Sequence, residues 1–260
     1  MIPTSPLPFA GALRRFPRAL LPTALDSAAL RQLDAQVRER SFFSARTLMT
    51  DVLDTYQKRI TEMVSPKQEK RADRVTPTNP EGFVTVAPDA ASVRLQVREL
   101  LDGVGYSPDA DKAGTVQDLA SDARINLVLD YNLTEARAYG HQLQNLDPDF
   151  ADAYPAQELV RFKSRHEPRD WSALWQSACT EAGDDAALAA FRHSGRMAAR
   201  KDSGVWLAIS DFDRPWPPFK YGSGMGLRDV SRSEAMGLGV IDRDSQIAPP
   251  RLAFNEEAAA

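Results

Sequence analysis

The side chains best suited to chemistry fall together in SRHEPRDW, residues 164–171. There His166, Glu167, Arg169 and Asp170 could pair an acid with a base. The metalloprotease spacing H-E-x-x-H is not met, because position 170 is Asp. The other two histidines, His141 and His193, share no ligand spacing with His166. The single cysteine, Cys179, excludes an intramolecular disulfide and leaves no Cys-based metal set. The cluster therefore reads as a charged turn, with no cofactor or metal implied.

A second stretch, YGSGMG at 221–226, invites a phosphate-loop reading. A P-loop needs G-x-x-x-x-G-K-[ST], and a dinucleotide fingerprint needs G-x-G-x-x-G between a strand and a helix. Glycines 222, 224 and 226 fit neither. Their simpler role is a tight backbone turn or close approach. The preceding PWPPFK adds aromatics and prolines that lose little conformational entropy on ordering. That composition suits a structural clamp or a binding edge, with Trp216 and Phe219 expected in the core and Gly222 and Gly224 allowing the fit.

Arg161, Arg165, Arg169, Arg192, Arg196 and Arg200 put a basic accent on the same half of the chain. Asp170, Glu181, Asp184 and Asp185 balance it. Two readings stay open: a solvated, mixed-charge surface, or an interface in which arginines contact phosphate. The whole chain carries 32 basic and 36 acidic residues, a net charge of −4, so no global field draws it onto nucleic acid. With 260 residues, 43% hydrophobic and 26% charged, it has the profile of a soluble globular protein. The N-terminus lacks the pattern of a signal peptide, and no run of about 18 apolar residues predicts a membrane span. Without a secretory route the sequon at Asn132 carries no weight.

The elements that would position these groups follow from periodicity. Residues 1–26 hold five prolines and predict an extended arm. Apolar residues from Leu30 to Met63, including Leu48, Val52 and Tyr56, step by three or four and predict one helix over 27–63, about 50 Å long. Such a stripe exceeds what a small domain needs, so Leu48, Val52 and Tyr56 are expected to face a partner. Residues 65–88 read as a linker with GFVTV as a short edge strand. Asp89 opens a helix to about Leu101, and Thr115 is the expected cap of the next, whose end Gly140 weakens. On that helix Asn132 falls on the apolar side and must find partners. Helices are expected from Trp171 and over 185–192, a strand containing Trp206 over 205–209, and a short helix after the S-x-x-E box at Ser231. Residues 244–260 are expected to fray.

Three stretches, LVLDYNLTEARAYG (127–140), YPAQELVRFKSRHEPRDW (154–171) and PWPPFKYGSGMGLRDVSRSEAMGLGV (215–240), occur in that order. Together they resemble the tailed-phage head morphogenesis, or minor head protein, family (Mu F-like), over about residues 27–241. The resemblance implies an α+β fold, with a predominantly helical N-terminal part and a compact C-terminal domain with a small sheet. It implies a non-enzymatic virion protein, inside the head near the portal vertex and in the host cytoplasm during assembly. Its partners would be the portal protein, other inner-head proteins and packaged DNA, with no membrane. The family's D-x-N-x-x-x-A helix maps onto Asp130, Asn132 and Ala136, and its aromatic-proline-glycine loop onto Trp216, Pro218, Phe219, Gly222, Gly224 and Met225. Arg165, Arg169, Trp171 and Trp206 join these as structural or interaction positions. Many relatives carry a cysteine-containing segment that this chain replaces with PPFKYGSGMG. The expected organisation is an arm (1–26), a helical region (27–110), a Mu F-like domain (111–243) and a tail (244–260). The alternatives are an enzyme acting on nucleic acid or a nucleotide, using His166 and Glu167 with the arginines at 161–169, and a non-catalytic DNA-contacting packaging accessory.

Overall fold

The computed structural model describes residues 18–33, 37–38, 41–165, 167 and 169–248. The expectations for residues 1–17, His166 and 249–260 lie outside the described residues. The fold is α+β, and the chain divides into two units, 1–140 and 141–260.

In the first unit, β1 (Ala19–Leu20) pairs in parallel with β2 (Ser41–Phe42), and Thr23 bridges Thr47. Helix α1 (Ser27–Arg31) lies between them, capped by Asp26. The helix expected over 27–63 is therefore broken. Only α2 (Thr50–Val64) survives of its second half. Phe42 is wholly buried, and the Leu21 and Thr23 amides donate to Phe42 O and Thr47 O. Tertiary pairing with the arm overrides a helical spacing that already contained Ser41 and an adjacent phenylalanine pair. The last residues of the arm thus belong to this unit.

Val52, Leu53, Tyr56, Ile60 and Val64 of α2 form one buried stripe. It meets Val93, Val97 and Leu101 of α3 (Ala90–Gly103), which Asp89 caps by accepting from Ser92 N. Helix α4 (Asp122–Asn145) adds Ile125, Val128, Leu129 and Ala136 to the same cluster. This shared core explains why the unit ends at 140 and not near 110. The partner-facing role expected of Val52 and Tyr56 is accordingly corrected: both are internal, and burial pushes the Tyr56 phenol up, with Arg124 opposing. Leu48 precedes α2 and is 63 % exposed.

The stretch expected to link these helices is a hairpin, β3 (Lys67–Lys70) against β4 (Phe83–Val86), the latter matching the expected edge strand. Thr115 does not cap α4. Its hydroxyl accepts from Gln117 N in a turn, and Ser121 does the capping, accepting from Arg124 N at 3.0 Å. Gly140 does not end the helix, which runs on to Asn145.

In the second unit, α5 (Pro148–Ala153) leads into β5 (Ala156–Arg161), the centre of an antiparallel sheet ordered β6–β5–β7. Helices α6 (Trp171–Ala182) and α7 (Asp185–Ser194) follow, capped by Asp170 and Asp184, before β6 (Ala198–Arg200). The strand expected over 205–209 is instead a helical turn, α8 (Val205–Ala208). A five-residue apolar run does not distinguish a buried strand from a buried helix. Here the Trp206 indole donates to Arg200 O at 2.7 Å from within the core. Strand β7 (Met225–Val230) and α9 (Arg232–Gly237), with Ser231 as cap, close the unit. Residues 245–248, expected to fray, are tied down: Gln246 O accepts from Arg200, and Ala248 N donates to Asp202.

Candidate functional site

Strands β5 and β7 pair over six positions, from Ala156↔Val230 to Arg161↔Met225. Where pairing ends, the amides of Phe162 and Lys163 both donate to Gly224 O, at 2.9 and 3.0 Å. Two glycines make this close seating possible. A Cβ on Gly224, whose φ is +67°, would stand 2.3 Å from Lys163 O, and one on Gly226 would stand 2.6 Å from the Phe162 ring. Gly222 has φ +59° in open space. The Phe162 ring therefore lies against bare backbone of β7, yet the residue is 69 % exposed.

Three arginines lie along the same edge, against the 221–224 backbone. Arg161 Nη1 donates to Ser223 O at 3.5 Å, and Arg169 Nη2 to Tyr221 O at 2.9 Å. Arg165 Nε is 3.2 Å from the point a Gly224 Cβ would occupy. These partners are backbone groups, and none of the three arginines has a carboxylate within salt-bridge distance among the described residues. The basic accent on this half of the chain thus divides in two. Arg196 and Arg228 are bound to Glu158 and Glu234, with Arg196 Nη2 2.7 Å from both acids. The hydrogen bond from Arg196 holds Glu158 below the usual carboxylate range, and that from Arg228 does the same for Glu234. Lys201, almost wholly buried, sits 2.9 Å from Asp229 and 4.2 Å above the Phe150 ring. These charges fasten elements to one another, whereas Arg161, Arg165 and Arg169 face outward.

Beneath this edge is an aromatic core. Trp206 stacks on Phe219 with centroids 6.1 Å apart and tilts against Trp175 at 5.4 Å. Trp171, Met225 and Trp216 are also buried. The Phe219 carbonyl accepts from Asp211 N, and Lys220 Nζ lies 2.5 Å from Asp211 Oδ1, which closes the 211–220 loop on itself. Five residues expected at the site, Trp171, Trp206, Trp216, Phe219 and Met225, are therefore interior, while Arg165, Arg169, Gly222 and Gly224 lie along the edge. The exposed Phe162 escaped the sequence reading. Its signal was an aromatic between Arg161 and Lys163.

Of the expected acid–base cluster, Glu167 is exposed and Asp170 serves as the α6 cap, accepting from Ala173 N at 3.0 Å. Asp130 and Asn132 lie in the other unit. Asp130 is exposed, and Asn132 donates to Val128 O and accepts from Arg18. Helix α4 also buries Glu135, three residues from Asn132, beside the same arginine.

A cleft of 540 Å³ lies between the α6–α7 junction, the 200–204 turn and residues 239–242. Two of its acids are committed. Asp184 caps α7 and accepts from Ser203 Oγ at 2.6 Å, and Asp202 holds Arg200 through two contacts of 2.8 Å. Among the described residues no group of three or more His, Cys, Asp or Glu is placed to hold a metal ion. No described helix is long and apolar enough to cross a membrane. Comparison with protein-family models, with curated proteins and with solved structures finds no match for this chain.

Proposed function

We propose that this chain is a phage minor head protein, associated with the portal vertex and acting in head morphogenesis by binding, without enzymatic turnover. It would reside inside the head, after passing through the host cytoplasm during assembly. One observation carries this reading. Two of the three stretches that resemble the family, 154–171 and 215–240, are neighbours in space: the first supplies β5 and the start of α6, the second supplies β7 and α9. Phe219 and Met225 of the second stretch lie in the same core cluster as Leu159 of the first. The stretches thus behave as one folding unit, as motifs shared by a structural family should. The charges bound within this unit, Arg196, Arg228, Glu158 and Glu234, join elements to each other, which suits a part built to hold shape in an assembly.

The test is to purify the particles made from the genome that encodes the chain and to analyse them by mass spectrometry and crosslinking. The chain should be present in a few copies per head and crosslink to the portal. Its absence from both empty and filled heads would overturn the assignment.

A further inference from the structure

Phe162 is unusual among the aromatic residues of the second unit. Trp171, Trp175, Trp206, Trp216 and Phe219 are buried, whereas Phe162 is 69 % exposed. It is nevertheless held in place. Its amide and that of Lys163 are bound to Gly224 O, and the Cδ2–Cε2 edge of its ring meets the side-chain-free Gly226. The result is an aromatic ring fixed through its backbone and its Cδ2–Cε2 edge and otherwise largely open to solvent. Along the same edge lie the exposed Arg161, Arg165 and Arg169, with no carboxylate among the described residues within salt-bridge distance of them. Glu158, Glu167 and Asp170 are the nearest acids in sequence; Glu158 is bound by Arg196 and Arg228, and Asp170 is engaged in capping α6.

We propose that this edge binds single-stranded nucleic acid, with Phe162 stacking on an unpaired base while Arg161, Arg165 and Arg169 contact the flanking phosphates. An aromatic face accepts any base, because every base has a π-face, and guanidiniums satisfy phosphate oxygens without reading sequence. A duplex fits less well, since its bases are already stacked on one another and offer Phe162 no face. An acidic peptide would use the arginines but leave the aromatic platform unused. A chain absent from virions would still present this edge, so the two readings fail separately.

The experiment is an anisotropy titration of the full chain with a labelled oligothymidylate and with a duplex of equal length, at several salt concentrations. The single strand should bind more tightly, with a log–log salt slope of roughly −2 for three phosphate contacts. Phe162→Ala should weaken binding by about 5- to 100-fold, and Phe162→Trp should retain it. Arg165→Gln should weaken binding and make the slope shallower by about 0.7. Because Phe162 is exposed, the melting curves of both Phe162 variants should match the parent. The proposal is overturned by no binding at low salt, by equal affinity for the duplex, by Phe162→Ala binding like the parent, or by polyglutamate competing as well as the oligonucleotide.

Discussion

The guanidinium of Arg18 donates from Nη2 to Asn132 Oδ1 at 3.0 Å, joining the arm to the middle of α4 across 114 positions of sequence. The arrangement is reinforced on both sides. Gln57 bonds both the amide and the carbonyl of Arg18, the Arg18 guanidinium lies 5.2 Å over the Phe42 ring, and buried Glu135 is 3.9 Å away. Asn132 completes its own bonding by donating to Val128 O at 2.9 Å. The arm is thus fixed to the first unit at its last arginine.

This relationship predicts energetic coupling. A buried hydrogen bond to a charged group is worth about 1.5–3 kcal/mol. Arg18→Ala and Asn132→Ala should each destabilise the protein, and the double variant should lose less than the sum, with a coupling of about 1–3 kcal/mol. Denaturant melts of the four proteins measure it. Additive losses would mean that Arg18 and Asn132 act independently, and the anchoring role would fall.

The Asn132 site shows what a sequence can disclose. A polar residue on an apolar stripe announces that partners exist, but the partner at Arg18 was 114 positions away and invisible to periodicity. Local signals fared better where they were sufficient in themselves. Asp89 with Val93, Val97 and Leu101 specified α3, and Ser231 with Glu234 specified the start of α9. Even there, the Glu234 carboxylate left the expected reciprocal cap to bind Arg196 and Arg228. Several readings failed where contacts outside the spacing pattern outweighed it. Phe42 entered a core that its helical register did not describe, and Trp206 turned its run into a helix by reaching Arg200 O. The clamp formed by 214–224 was legible in kind, from aromatics beside glycines. The exposed Phe162 that it seats was not, because exposure depends on what packs nearby.

The core beneath the clamp sets a second prediction. Phe219 is fully buried and stacked on Trp206. Truncating a buried phenylalanine costs about 3–5 kcal/mol. Phe219→Ala should sharply lower the melting temperature of the isolated protein and shift the fluorescence of the indoles around it. An unchanged melt would move the loop from the core to an interface.

The Glu158–Arg196–Arg228–Glu234 cluster gives stability a pH dependence. Both carboxylates titrate below their ordinary value in the folded state because arginines hydrogen-bond their charged forms. Their contribution is therefore complete above the unfolded value, near 4.5, and is lost as pH falls through the depressed folded values. The arginines are partly exposed, so solvent screening keeps the effect modest. Glu158→Gln should lower the melting temperature at neutral pH and flatten its decline in acid. A variant whose acid limb parallels the parent's would remove Glu158 from the account.

Two glycines separate the effects of conformation and of space. Gly222 and Gly224 both have positive φ, so alanine at either is strained by about 1–2 kcal/mol. At Gly222 that is the whole penalty, because nothing lies within 4 Å of the new Cβ. At Gly224 the Cβ would also meet Lys163 O at 2.3 Å. That carbonyl cannot retreat freely, because the amides of Phe162 and Lys163 are both bonded to Gly224 O. Relief requires the 162–165 segment to lift from β7. Gly224→Ala should therefore lose at least about 1 kcal/mol more than Gly222→Ala, through the two hydrogen bonds it strains. It should also speed amide exchange at Phe162 and Lys163, which Gly222→Ala should leave slow. Equal losses, with both amides still protected in Gly224→Ala, would show that the segment is not held by the close approach at Gly224.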